Sequence, residues 1–225
     1  MSRHSRQMFF VRKRSDSNTP LESLQSLGQK WWGFYFRIGL ASSLSRLKGR
    51  ECAFLIYARH GEATVGEDQP YLNFQYCHTQ KNLSEAGRSE AVYYGKLLRY
   101  WQILISTPII ASPFCRTIET AHLAFPYAPI RIDPFWLDIY KLSGNISKDG
   151  QTTIVTNLES MVEMKPPPGT NIDIIAHSFP KGIGLGEIAN MGTVIIKPRG
   201  QGNGYEVVRK LTLADLANLA NLGSV

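Results

Sequence analysis

Two histidines and two arginines stand just after predicted strands, where their side chains can act together on one ligand. Arg59 and His60 follow the apolar run FLIYA, Arg116 lies a few residues after IIA, and His177 follows IDIIA. Ligands of open parallel sheets bind outside the carboxyl ends of the strands, so the four side chains are expected to converge on one crevice. Guanidinium groups grip phosphate through bidentate hydrogen bonds, which predicts a phosphate-binding site there.

The backbone around these residues must meet two conditions. Arg59 and His60 are neighbours, so on a regular strand they would point to opposite faces, and Gly61 is expected to let the chain leave strand geometry. Arg116 is predicted in the first turn of a helix that begins at Ser112-Pro113. Free backbone N–H groups and the helix dipole favour an anion at that position.

The elements that must position these residues alternate between strand and helix patterns from residue 51 onward. Such alternation is typical of an α/β domain with a mainly parallel central sheet. Strands are predicted at residues 53–58, 109–111, 130–132, 172–176, 194–197 and 206–209. Helices are predicted from a Ser84 cap to Trp101, from Ser112 to Phe125, over residues 154–162 and over residues 213–222.

The composition is that of an ordinary soluble globular protein, with 43% hydrophobic and 19% charged residues in a chain of 225. No apolar run reaches the roughly 20 residues that a membrane-spanning helix needs, because Arg37 interrupts the richest one. The sequence therefore predicts no membrane span.

The net charge of +7 is concentrated in the first 50 residues, which hold 10 Lys or Arg against 2 Asp or Glu. Residues 1–18 are predicted as a basic flexible tail, because they are rich in Arg and Ser and lack apolar periodicity. Residues 19–50 are predicted as an N-terminal helical extension that begins at a Thr19 cap followed by Pro20. We expect the extension to pack on the main body, and weak contact with a membrane surface is the alternative. Import into an organelle also stays open, because transit peptides are likewise rich in Arg and poor in acidic residues.

The three cysteines, Cys52, Cys77 and Cys115, are widely spaced and form neither a Cys-x-x-Cys pair nor a zinc-ligand pattern. They are expected to be small buried hydrophobic residues rather than parts of a disulfide framework. This use of cysteine indicates a reducing compartment and therefore a cytoplasmic location. If the N-terminus contacts a membrane surface, the protein would be peripheral to that membrane.

Four motifs stand in a fixed order along the main body: ARHGE at residues 58–62, NLSEAGR at 82–88, SPFCRTIETA at 112–121 and AHS at 176–178. Together they resemble the histidine phosphatase superfamily, the phosphoglycerate mutase-like proteins, over residues 54–212. The resemblance implies a three-layer α/β/α sandwich in which residues 51–225 form the catalytic domain. It implies hydrolysis of phosphate monoesters through a phosphohistidine, without a metal or other cofactor.

By the same resemblance, His60 is the nucleophile, and Arg59, Arg116 and His177 bind the transferring phosphoryl group. The nucleophile must be neutral to attack, which an ordinary histidine is at physiological pH. His78 and His122 match no motif position and are expected to be structural or surface residues.

The general acid that protonates the leaving group is less well marked. Relatives supply a carboxylic acid from the loop after the third strand, so Asp138 is the first candidate, with Asp133 and Glu62 behind it. Acid phosphatase relatives use an Asp directly after the second histidine, but this chain has Ser178 there. That branch is disfavoured.

The substrate predicted is a phosphorylated small molecule or a phosphoprotein. A phosphatase is favoured over a mutase, because the chain continues RHGE with Ala63-Thr64-Val65 instead of the Ser, Trp and Asn typical of phosphoglycerate mutases. A protein phosphohistidine stays open as substrate, since its leaving nitrogen needs little acid. The hypothesis from another class is an anionic-surface-binding module with a non-catalytic phosphate pocket; no nucleic-acid partner is expected.

Overall fold

One six-stranded sheet organises the chain, whose computed structural model describes Leu47 and residues 53–220. The strands are β1 (Leu55–Arg59), β2 (Ile109–Ala111), β3 (Ile130–Ile132), β4 (Ile172–Ala176), β5 (Thr193–Pro198) and β6 (Tyr205–Leu211). Their order is β3-β2-β4-β1-β5-β6. The first four are parallel, whereas β5 and β6 run antiparallel to their neighbours. The predicted strands and the mainly parallel sheet are confirmed.

Five α-helices of the described residues connect or follow these strands. They are α1 (Glu85–Tyr100), α2 (Cys115–Ala124), α3 (Phe135–Lys141), α4 (Lys148–Val162) and α5 (Leu213–Ala220). Helix α1 begins as predicted, since the Ser84 hydroxyl accepts a hydrogen bond from Gly87 N–H at 3.0 Å. Helix α4 begins with an equivalent cap, Ser147, which accepts from Gly150 N–H at 3.1 Å. Helix α3 was not predicted.

Helices cover both faces of the sheet. Buried residues of α1, α2 and α5, such as Tyr94, Ala121 and Leu216, pack with Ile56 and Ile175 on one face. Trp136 of α3 and Leu158 of α4 pack on the other face, against strand residues such as Tyr57 and Ile174, which alternate along the strands with those of the first face. The structure is therefore the expected three-layer α/β/α sandwich.

The predicted tail and helical extension, residues 1–18 and 19–50, lie outside the described residues except for Leu47. This leucine is 1% exposed and belongs to the core on the α1 side. Its carbonyl oxygen accepts a hydrogen bond from the Asn171 side chain at 3.1 Å. None of the helices in the described part of the chain is long and apolar enough to cross a membrane.

Three parallel strands end at the same edge of the sheet. Arg59, the last residue of β1, is in register with Ala176, the last residue of β4, and β2 ends beside them at Ala111. Two backbone bonds extend this alignment by one residue: His60 N–H donates to Ala176 O and Ser112 N–H to Ile175 O, both at 3.1 Å. Residues that follow these strands are therefore brought to one place.

Gly61 has a steric role at this edge. Its φ is not in the left-handed region, so Gly61 does not adopt a backbone conformation that is reserved for glycine. A Cβ at Gly61 would instead overlap the backbone of Gly87 in the first turn of α1, and a Cβ at Gly87 would overlap the backbone of Glu62. The two glycines allow α1 to lie directly against the chain that follows His60.

Candidate active site

A cavity of about 540 Å³ opens at the edge where β1, β2 and β4 end. Arg59, His60, Arg116 and His177 all line it, so the structure brings together the four residues singled out in the sequence. His60 and His177 are 6% and 4% exposed, and their ring centroids lie 5.5 Å apart. Two imidazoles and two guanidinium groups thus meet in one partly enclosed space.

The His60 ring is held in one orientation and one tautomer. Its Nδ1 lies 2.7 Å from Gly61 O, and a carbonyl oxygen can only accept, so Nδ1 carries the proton. The lone pair is therefore on Nε2, toward which Arg116 Nε–H donates at 3.3 Å. Burial, and after it the Arg116 charge, lower the pKa of His60 to about 3. The imidazole is neutral and its basic nitrogen faces Arg116.

His177 is fixed through both its ring and its backbone. Its Nε2 lies 2.9 Å from the Oγ of buried Ser112, just past the end of β2. The buried Tyr57 hydroxyl donates to His177 O at 2.6 Å and accepts from His177 N–H at 3.1 Å. Burial lowers the pKa of His177 well below its usual value, followed by the effects of His60 and Arg116. This ring is also neutral.

The two arginines enter the cavity from different elements. Arg59 at the end of β1 donates from Nη1 to Ile188 O at 2.9 Å. Arg116 in the first turn of α2 is 4% exposed and its guanidinium lies 4.0 Å from the centroid of the Phe114 ring. Two positive groups that line the same cavity as His60 suit the binding of a dianionic phosphoryl group.

Asp138, the expected general acid, is not brought to this cavity. The segment expected to be a loop is helix α3, in which Trp136 and Ile139 are buried. Asp138 pairs with Lys141 one turn later, at 2.8 Å, and does not line the cavity. Tyr140, two residues along and about 200° around the helix axis, lines it instead.

The two reserve candidates for the acid have different positions. Asp133 accepts a hydrogen bond from Phe135 N–H at 3.1 Å and does not line the cavity. Glu62 does line it, with an exposed carboxylate that accepts from the Ser84 hydroxyl at 2.7 Å. His78 and His122 are exposed and lie outside the cavity lining, as expected for residues outside the motifs.

The prediction of free cysteines is wrong for two of the three. Cys77 and Cys115 form a disulfide, with Cα atoms 5.7 Å apart. Cys77 is exposed in a short 3₁₀ turn (Cys77–Thr79), and Cys115 opens α2 beside Arg116. The pairing brings together residues 38 positions apart and could not be foreseen from spacing, because it depends on how residues 62–81 fold back onto α2. Cys52 lies outside the described residues.

The cavity residues that were missed in the sequence include Asp68, Lys81 and Tyr140. Asp68 and Lys81 belong to the irregular segment 62–81, which has no periodicity from which a side-chain direction can be predicted. Helical spacing within Phe135–Lys141 was the available signal for Tyr140, since Trp136 and Ile139 mark the buried face.

The described residues contain no group of three or more His, Cys, Asp or Glu side chains arranged to hold a metal ion. What the cavity offers is a neutral imidazole with its lone pair directed inward, flanked by cationic and neutral hydrogen-bond donors. Such a set can take up a phosphoryl group and stabilise the charge on its oxygens.

No family model and no curated protein matches the chain. Solved structures that it resembles include a phosphoserine phosphatase from Entamoeba histolytica in complex with 3-phosphoglyceric acid, at 14% identity and a TM-score of 0.46, covering 72% of this chain and 98% of that one. Another is the alpha-ribazole phosphatase from Shigella flexneri, at 16% identity and a TM-score of 0.47, covering 70% and 95%. A third is the protein histidine phosphatase SixA complexed with tungstate, at 14% identity and a TM-score of 0.43, covering 72% and 99%.

Proposed function

We propose that the chain is a metal-independent phosphatase of the histidine phosphatase type, which hydrolyses phosphate monoesters through a phosphohistidine on His60. The observation that carries the proposal is the 2.7 Å contact between His60 Nδ1 and Gly61 O, because it leaves Nε2 as the nucleophilic atom inside the cavity. The lowered pKa of His60 keeps that lone pair free of a proton.

The reaction proceeds in two displacements. His60 Nε2 attacks phosphorus, and the bond from phosphorus to the leaving oxygen breaks to give a phosphohistidine, while the leaving oxygen takes a proton from Glu62 or from water. Arg116 Nε–H, which donates to Nε2 before the reaction, donates to a phosphoryl oxygen once Nε2 carries the phosphoryl group. Arg59 and His177 bind the remaining oxygens, and water displaces His60 to release inorganic phosphate.

A phosphatase suits the charges of the cavity better than a mutase does. A mutase must hold a second phosphate, but outside Arg59, Arg116 and the two histidines the only basic residue of the described lining is Lys81. The same lining contains three acidic residues, Glu62, Glu67 and Asp68. A second phosphate would meet more negative than positive charge there.

The position of the predicted acids supports a second candidate, a protein phosphohistidine phosphatase. Asp138 and Asp133 lie outside the cavity lining, so Glu62, whose carboxylate is exposed, is the one predicted acid that lines it. A phosphorus–nitrogen bond needs less assistance from an acid than an alkyl ester does. The two candidates are separated by the rates of hydrolysis of a phosphohistidine peptide and of aryl phosphates whose leaving groups differ in pKa. Faster hydrolysis of the peptide would favour the phosphohistidine phosphatase.

Hydrolysis of an aryl phosphate by wild type and His60→Ala, with and without a chelator, tests the proposal. We expect chelator-resistant turnover that falls by about three orders of magnitude or more in His60→Ala. His122→Ala, on the exposed face of α2, is the matched control and should behave as wild type. Turnover that survives in folded His60→Ala would refute His60 as nucleophile, and absence of turnover in all variants would favour the anionic-surface-binding module.

The cytoplasmic location and the membrane contact of residues 1–50 stay predictions from the sequence. The Cys77–Cys115 disulfide counts against the reducing compartment on which the cytoplasmic location was based, since such bonds persist mainly in oxidising surroundings.

A further inference from the structure

The Asp68 carboxylate occupies the side of the Arg116 guanidinium that faces away from His60. Arg116 Nη1–H donates to Asp68 Oδ1 at 2.9 Å and Nη2–H to Oδ2 at 3.2 Å, so the pair is bidentate. The two side chains are 4% and 8% exposed. A bidentate pair shielded from water fixes the direction of the guanidinium plane as well as its distance.

Asp68 is itself held from several elements. Oδ1 accepts a second hydrogen bond from Lys81 N–H at 2.8 Å, and Oδ2 accepts one from the Tyr140 hydroxyl of α3 at 2.8 Å. Each carboxylate oxygen thus has two donors. The hydrogen bonds and charge of Arg116 and the Lys81 N–H hold the pKa of Asp68 below its usual value despite the opposing effect of burial. The carboxylate is a fixed anion.

These contacts decide which part of Arg116 is left for a phosphoryl group. Nη1–H donates also to Lys81 O at 3.1 Å, so both hydrogens of Nη1 are engaged. Nε–H faces the His60 lone pair, and one hydrogen of Nη2 has no partner among the described residues. The edge formed by Nε and Nη2 is therefore the one that can meet a phosphoryl oxygen beside His60.

We propose that Asp68 is a positioning residue, which directs the Nε edge of Arg116 toward the phosphoryl group on His60. This inference rests on the proposed function. An arginine has several rotatable bonds, and fixing its plane before the substrate binds removes that ordering cost from the reaction. The competing hypothesis is that Asp68 is an anion that occupies Arg116 in place of phosphate and must leave before substrate can bind.

The two hypotheses predict opposite effects of Asp68→Asn. If Asp68 positions Arg116, inorganic phosphate should bind about tenfold more weakly, and kcat/KM for an aryl phosphate should fall by about 10- to 100-fold, the scale of a small misplacement of a catalytic group. If Asp68 competes with phosphate, affinity and kcat/KM should both rise. Asp149→Asn, an exposed aspartate in the first turn of α4, is the matched control.

A double-mutant cycle tests whether Asp68 affects phosphate affinity through Arg116. In an Arg116→Ala background, Asp68→Asn should change phosphate affinity by less than about twofold, since no guanidinium remains to be directed. A full additional loss in that background would overturn the proposal, as would a rise in affinity in the Arg116-containing protein. Tyr140→Phe removes one of the four donors and should give a smaller loss of the same sign, which covers the case in which Asp68→Asn folds poorly.

Calorimetric titration with inorganic phosphate requires no turnover, so it separates this proposal from the proposed function. Loss of phosphate affinity in Asp68→Asn together with an inactive wild type would refute the enzyme and keep the positioning role. An active wild type with unchanged affinity and kcat/KM in Asp68→Asn would refute the positioning role alone.

Discussion

The neutral state of His60 leads to a quantitative prediction about acidic solution. An imidazole with an ordinary pKa near 6.5 is only about 3% neutral at pH 5. With the pKa of His60 at about 3, about 99% of this side chain is neutral at the same pH. The reactive form should therefore be about 30-fold more abundant at pH 5 than an ordinary histidine would allow.

NMR titration of the His60 imidazole carbon–proton signal, assigned by its absence in His60→Asn, measures this directly. We expect no midpoint between pH 4.5 and 8. In Arg116→Gln the pKa should rise, because a positive charge has been removed, but it should stay below 6.5, because burial is the larger cause. A midpoint near 6.5 in wild type would refute the reasoning about burial and show that water or an anion reaches the ring.

The remaining predictions concern stability. Burial raises the pKa of Asp173 to about 7 from an unfolded value of 3.8, so stability should fall by about 4 kcal/mol as pH rises through that window. Asp173→Asn, which can still accept the Tyr94 hydroxyl, should abolish this slope; urea unfolding at pH 5 and 8 checks it, and an unchanged slope would contradict it. Replacing Cys77 and Cys115 by Ala should lower the free energy of unfolding by about 2 to 4 kcal/mol, because the 38-residue separation is no longer closed in the unfolded chain. Denaturant unfolding of both forms measures the difference, and equal stability would contradict the pairing.

Much of the sheet was predictable because its central strands carry their own signal. The runs that became β1 and β4 are mostly apolar, as expected of strands buried on both faces, with Arg59 and Asp173 as the charged residues in them. Ser84 marks the start of α1. The convergence of Arg59, His60, Arg116 and His177 was predictable mainly because parallel strands end at one edge of the sheet.

The parts that escaped prediction depend on tertiary contacts. Helix α3 is seven residues long and rich in aromatic residues, so its local preference is weak and the burial of Trp136 and Ile139 stabilises it. Because this segment was expected to be a loop, Asp138 was predicted to face the cavity, which Tyr140 lines instead. The Asp68–Arg116 pair and the Cys77–Cys115 bond join an irregular segment to α2, and no periodicity relates those positions.

The site has two parts, which are held by different regions of the chain. The Tyr57 hydroxyl makes two hydrogen bonds to the His177 backbone. Tyr57 lies on β1, whose chain continues to His60, so the two histidines are joined within the sheet itself. Arg116, in contrast, donates hydrogen bonds to the Asp68 carboxylate and to Lys81 O, both in segment 62–81, which lies outside the sheet. If the proposed function holds, sequence changes in that segment can change which phosphate ester is accepted, while the spacing of the two imidazoles stays the same.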